Sequence, residues 1–197
     1  MTNRGFGKIA SREIILNPME TAARLGTSIN YSDSLIEDCR KALMEAADCK
    51  YAWVRVPVYI KESTVNIGFG EFSSRDLAKA LAGCDEAFIF AVTAGLPVER
   101  LLIKEELLSP TRHFVTDALA SSLAEAICDE AEKRIKGTNK CKPRFSPGYG
   151  DLPLDIQPKV LKLLDAQNKL GISLNSALLM TPSKSITAIM GIYNEKV

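Results

Sequence analysis

Arg144-Phe145-Ser146-Pro147-Gly148-Tyr149-Gly150-Asp151-Leu152-Pro153-Leu154 lies between a long helical segment and a short one, and its pattern is neither that of a helix nor of an ordinary strand. Pro147-Gly148 predicts a tight turn: proline presets its own φ, and glycine accepts the positive φ that a type II turn requires at the next position. Gly148 lacks a Cβ, so a ligand could lie against the backbone there. Arg144 carries a planar fork suited to a carboxylate or phosphate. Tyr149 adds an aromatic face and a hydroxyl. The stretch therefore suits a ligand with an anion, a flat ring and a positive centre, although an arginine so placed can equally pair with a nearby acid.

Working outward on the N-terminal side, Ser109-Pro110 caps the longest helical pattern, Thr111 to Lys136, which ends at Gly137. Phe114, Val115, Ala118, Leu119, Leu123, Ala126, Ile127, Ala131 and Ile135 make its apolar side. Asp117, Ser121, Glu125 and Asp129 recur every four residues and line one face, to be read as a solvated stripe or as one wall of a ligand cleft. On the C-terminal side a helix is expected over Lys159 to Leu170, stopped by Gly171. Short apolar pieces follow at Ile172 to Leu174 and Ala177 to Met180. Met180-Thr181-Pro182-Ser183-Lys184-Ser185 is a polar turn able to close over a ligand, and Ser185 to Tyr193 reads as a final strand.

Towards the N-terminus, Arg12 to Leu16 reads as a short strand, and Asn17-Pro18-Met19-Glu20 as a capped helix start with Glu20 completing a capping box, stopped at Gly26. Ser34 to Cys49 is amphipathic at helical spacing. Tyr51 to Ile60 is β-branched and aromatic, a strand with an edge or bulge at Pro57; Thr64 to Phe69 is a second. Ser73-Ser74-Arg75-Asp76 opens a helix that Gly83 closes. Glu86 to Thr93 is a near-continuous apolar run of central-strand type, and Val98 to Leu108 a helix. The glycine turn between these last two contains neither G-x-G-x-x-G nor G-x-x-x-x-G-K, so a phosphate loop is not indicated. The fold class expected is α+β: one domain over residues 1–197, mainly an antiparallel twisted sheet with helices packed around it and a long central helix.

Composition narrows the partners. Lys plus Arg number 25 against 24 for Asp plus Glu, which gives no overall reason to expect a nucleic-acid or membrane-surface partner. Five cysteines with no C-x-x-C pair point to reduced thiols and a cytoplasmic setting. His113 is the only histidine, so a structural zinc site is not expected. Met1 to Ala10 has no apolar run of signal-peptide type, and no window reaches the length of a membrane span.

Arg144-x-x-Pro147-Gly148-Tyr149, then Leu152-Pro153-Leu154 and a helix, then Gly171-Ile172-Ser173-Leu174, then Met180-Thr181-Pro182-Ser183-Lys184-Ser185 and an apolar strand, resembles the activation domain of cobalamin-dependent methionine synthase. The preceding helix, with Asp117-Ala118-Leu119 and Leu123-Ala124-Glu125-Ala126, is similar to that domain's long helix. The resemblance covers roughly Thr111 to Ile192. It implies S-adenosylmethionine as ligand, a cobalamin carried by a partner corrinoid methionine synthase or methyltransferase, and a flavodoxin-like or ferredoxin-like reductant. It implies a binding set of Arg144, Ser146, Pro147, Gly148, Tyr149 and Glu125, in which Arg144 holds the ligand's carboxylate, Gly148 admits the ligand to the backbone and Tyr149 lines the site. Glu125 or Asp129 would place a carboxylate near the sulfonium.

The chain lacks the homocysteine, folate and cobalamin modules of the full synthase, and it ends at Val197, where the family's domain continues with aromatic sequence. A stand-alone reactivation subunit is thus the expectation, with an S-adenosylmethionine sensing module as the alternative. A hydrolase built on Ser146, His113 and an aspartate is disfavoured, because Ser146 lies outside any G-x-S-x-G elbow.

Overall fold

The computed structural model describes residues 3 to 26 and 33 to 193. In chain order these form β1 (Arg4–Lys8), α1 (Pro18–Leu25), α2 (Asp33–Ala46), β2 (Lys50–Pro57), β3 (Tyr59–Lys61), β4 (Thr64–Asn66), β5 (Glu71–Ser73), α3 (Arg75–Ala80), β6 (Cys84–Thr93), α4 (Leu96–Leu108), α5 (Pro110–Lys136), α6 (Gln157–Leu164), α7 (Ala166–Leu170), β7 (Ser173–Leu174), β8 (Met180–Thr181) and β9 (Ser185–Tyr193), with 3-10 turns at Ser11–Glu13 and Leu154–Ile156.

The apolar run Ala87-Phe88-Ile89-Phe90-Ala91-Val92 is buried on both faces, which places β6 inside the main sheet, ordered β1-β2-β6-β9 with every neighbour antiparallel. Side chains alternate across a strand. Phe88, Phe90 and Val92, with Ala188, Met190 and Ile192 of β9, therefore enter one core with α1, α2, α4 and α5. Ala87, Ile89 and Ala91, with Ala52, Val54 and Val56 of β2, enter the second core with α3, α6 and α7 and the small β3-β4-β5 sheet. The α+β expectation, antiparallel with helices on it and one long helix, is the observed architecture. Among the described residues, no helix is long and apolar enough to cross a membrane.

Several local expectations differ. The strand expected at Arg12 to Leu16 is a 3-10 turn over Ser11–Glu13, and the N-terminal strand lies earlier, at Arg4–Lys8. Gly5 and Gly7 hide it from a hydropathy reading; a Cβ would come within 2.5 Å of the Trp53 indole at Gly5 and 2.8 Å of the Tyr51 ring at Gly7, so the two rings fill the space that larger residues would take. Asn17 caps α1 through the amides of Met19 and Glu20, but the Glu20 carboxylate pairs with Arg24 at 2.8 Å rather than closing a capping box. The Tyr51 to Ile60 strand divides around Pro57 and Val58, beyond the point where β1 covers β2. Thr64 to Phe69 shortens to Thr64–Asn66. Lys159 to Leu170 is two helices rather than one. Asp165 takes a left-handed conformation (φ 52°) between them and receives a bond from the Asn168 amide at 2.7 Å, a local partner that aspartate can find where most residues cannot.

Candidate functional site

A cavity of about 640 Å³, within the usual range for small-molecule sites, opens beside β9. Its walls are Glu125 of α5, Arg144 to Pro147 and Tyr149 of the connecting segment, Leu154 and Gln157 at the start of α6, and Leu178 to Met180, Ser183 and Ser185 to Thr187 around β8 and β9.

The connecting segment is tied to the sheet before it turns. It runs antiparallel to β9 and bridges it at Cys141–Ile192 and Phe145–Ile189. The turn then forms as the sequence predicts: the Tyr149 amide donates to the Ser146 carbonyl at 3.1 Å, and Gly148 has φ 88°. The Gly148 amide donates to the Leu152 carbonyl at 2.9 Å, and Gly148 does not line the cavity. The structure gives Gly148 a conformational role in the turn. A Cβ there would meet only Leu154 at 3.6 Å, so the positive φ alone calls for glycine.

Asp151 pins the far side of the turn. Its carboxylate accepts from Ser74 Oγ at 2.5 Å, the Arg75 amide at 2.8 Å and the Asp76 amide at 3.1 Å, capping α3 from across the fold. The Ser74 hydroxyl and the Arg75 amide hold this carboxyl below its ordinary range. Asp76 answers by accepting from the Asp151 amide at 3.3 Å, and Gly150 leaves room for it, since a Cβ would stand 2.3 Å from Asp76 Oδ2.

The polar stripe of α5 proves to be two clasps. Asp117 holds Lys184 Nζ at 2.7 Å, and Ser121 Oγ accepts from it at 2.9 Å. Arg144 donates to Asp129 at 2.6 Å, Glu125 at 3.0 Å and Glu132 at 3.2 Å. Burial opposes the Arg144 charge, but the Cys128 sulfur and the Asp129 and Glu132 carboxylates outweigh it and hold the guanidinium above its ordinary value. Burial also pushes the Cys128 thiol up to about 12, with Arg144 working against it and Glu125, Asp129 and Glu132 adding to it.

Three acids face the Arg144 guanidinium and Lys136 also pairs with Glu132 at 3.7 Å, which leaves a local surplus of one negative charge, so the site favours a ligand's positive centre. Among the described residues no group of carboxylates, cysteines and histidine is arranged to hold a metal.

The turn at Met180 to Ser185 closes on the cavity as read from the sequence. Glu99 of α4 accepts from the Ser183 amide and hydroxyl, both at 2.7 Å, while Ser185 Oγ sits 2.9 Å from Thr93 Oγ1. Of the six residues singled out by the motif, Glu125, Arg144, Ser146, Pro147 and Tyr149 share the cavity. Gln157 and Thr187 were missed. Their mutual bond at 3.0 Å joins residues thirty apart, and nothing local in the sequence signals it. His113 Nδ1 lies 3.0 Å from the Leu102 carbonyl at the α4–α5 corner and does not line the cavity.

An antiparallel sheet between two helical layers, with the long helix and the Arg144 turn enclosing a cleft beside the last strand, has the fold of the methionine synthase reactivation domains. A crystal structure of the MetH reactivation domain bound to AdoHcy (S-adenosylhomocysteine) matches 98% of this chain and 79% of its own, with a TM-score of 0.73 and 14% sequence identity. At that identity the likeness is one of fold. No protein-family model and no curated protein matches the sequence.

Proposed function

We propose that the cavity binds S-adenosylmethionine and that the chain acts as a reactivation-type module for a separate corrinoid methionine synthase or related methyltransferase. The observation that carries this reading is the meeting, in one cavity on this fold, of the Arg144 turn with the acid of α5 and the Met180 to Ser185 turn.

The charges suit the ligand. S-adenosylmethionine carries a sulfonium, an ammonium and a carboxylate. Glu125 and its neighbours attract the two cations, and Arg144 offers its fork to the carboxylate by exchanging one of its three acid partners. The apolar side chains Leu154, Leu178, Leu179 and Met180 and the Tyr149 ring provide surface for the flat base. S-adenosylmethionine would give its methyl group to a cobalamin held by the partner and reduced by one electron from a flavodoxin-like or ferredoxin-like protein, and S-adenosylhomocysteine would leave the cavity. This chain's residues bind and orient the donor, and no protein nucleophile is required.

Calorimetry with S-adenosylmethionine and S-adenosylhomocysteine, on the wild type, Arg144→Ala and Glu125→Gln, tests the reading. Both ligands should bind the wild type. Arg144→Ala should weaken both, and Glu125→Gln should weaken the sulfonium ligand about three- to tenfold more than the neutral thioether. No binding of either ligand at millimolar concentration would sink the proposal.

A further inference from the structure

Gln157 is the first residue of α6 and only 2% exposed, yet it lines the cavity. Its Oε1 accepts from Thr187 Oγ1 at 3.0 Å, and its Nε2 faces Met180 Sδ at 3.3 Å. The two ends of an amide are told apart by their partners. Thr187 can serve either end, because a hydroxyl both donates and accepts. The sulfur decides: the reverse orientation would set one acceptor against another. A thioether is a weak acceptor and an amide nitrogen carries two hydrogens, so Gln157 presents an under-used donor at the wall of the site. Buried donors without a strong partner are uncommon in folded proteins, and one that lines a cavity points to a ligand atom.

The surroundings narrow what that atom is. Met180 and Leu179 offer an apolar face beside the amide, and sulfur against an aromatic ring is a favourable contact. Because Oε1 is turned to Thr187 and Nε2 to Met180, the group on the Met180 side is a donor. It would therefore favour an in-plane lone pair and reject an N–H or C–H at the same place.

We propose that Gln157 recognises the base of the bound nucleoside, its Nε2 donating to a ring nitrogen of adenine. This rests on the proposed binding of an S-adenosyl ligand, and it adds a basis for choosing adenine over a base with a hydrogen at that ring position.

The test is calorimetry of S-adenosylhomocysteine and its 1-deaza, 3-deaza and 7-deaza analogues, in which one ring nitrogen at a time becomes C–H. In the wild type one analogue should lose about tenfold in affinity. In Gln157→Leu the parent ligand should fall by a similar factor, and the penalty for that analogue should vanish. Thr187→Val, which frees Oε1 and lets the amide turn over, should shrink the same penalty; it carries the test if Gln157→Leu does not fold. Three analogues binding the wild type as well as the parent, or a penalty that persists unchanged in the variants, would overturn the assignment while leaving the ligand reading intact. Failure of the wild type to bind the parent ligand would instead remove both.

Discussion

The two clasps on α5 are built from the same sequence device and differ in their charge balance. Asp117 and Ser121 hold Lys184 with one negative charge against one positive, and the lysine side chain is only 14% exposed. One turn further on, Glu125, Asp129 and Glu132 hold Arg144, with Lys136 a second cation on Glu132, three charges against two, and both Glu125 and Arg144 line the cavity. A balanced pair has nothing left to attract. It fixes the Ser185 end of β9 to the long helix and so shapes the cavity wall. The unbalanced cluster keeps its residual field at the cavity, where a cationic ligand would satisfy it. Residue spacing alone does not separate a structural clasp from a candidate binding one; the count of charges does.

Breaking the unbalanced clasp should have the larger effect. Arg144→Ala leaves three carboxylates with only Lys136, on Glu132, to offset them, and a loss of about 2 kcal/mol is expected in urea unfolding, below the full cost of breaking a buried pair because these side chains are part-exposed. Lys184→Ala should cost less, about 1 kcal/mol, since Asp117 is 45% exposed and can turn to water. A loss for Lys184→Ala equal to or above that for Arg144→Ala would show that charge surplus is not what distinguishes the two.

The smallest effect concerns the turn between them. The Asp151 carboxyl titrates below its ordinary value, so its contribution to stability is complete above the unfolded-state pKa, near 3.8, and is lost as pH falls through the lower folded value. Asp151→Asn should therefore flatten the acid limb of the stability curve below about pH 4, with the neutral-pH behaviour of both clasps retained. An acid limb identical to the wild type would remove Asp151 as the anchor of the turn.

Elements whose signal is local were legible in the sequence. β6 announces itself by a near-continuous apolar run, β9 by a mainly apolar one, and α5 by its Ser109-Pro110 start, its period and its Gly137 stop. β1 was not legible, because the groups that complete Gly5 and Gly7 are Trp53 and Tyr51 on the neighbouring strand. The break at Asp165 carries neither glycine nor proline. In the site, the turn and the Glu125 wall could be read because a motif and a four-residue period encode them. The cap from Asp151 to α3 and the Gln157–Thr187 bond could not, since each joins residues that only the folded chain brings together.

The bridges at Cys141–Ile192 and Phe145–Ile189 tie the segment before the turn to the pleat of the sheet. The two bridges differ in register by one residue, four residues of the segment facing three of β9, so the spacing between Cys141 and Phe145 sets the direction in which Arg144 leaves the sheet towards α5. Chain length is therefore the invariant of this part of the molecule. Side chains around the cleft can be exchanged one by one while that spacing of the backbone stays fixed.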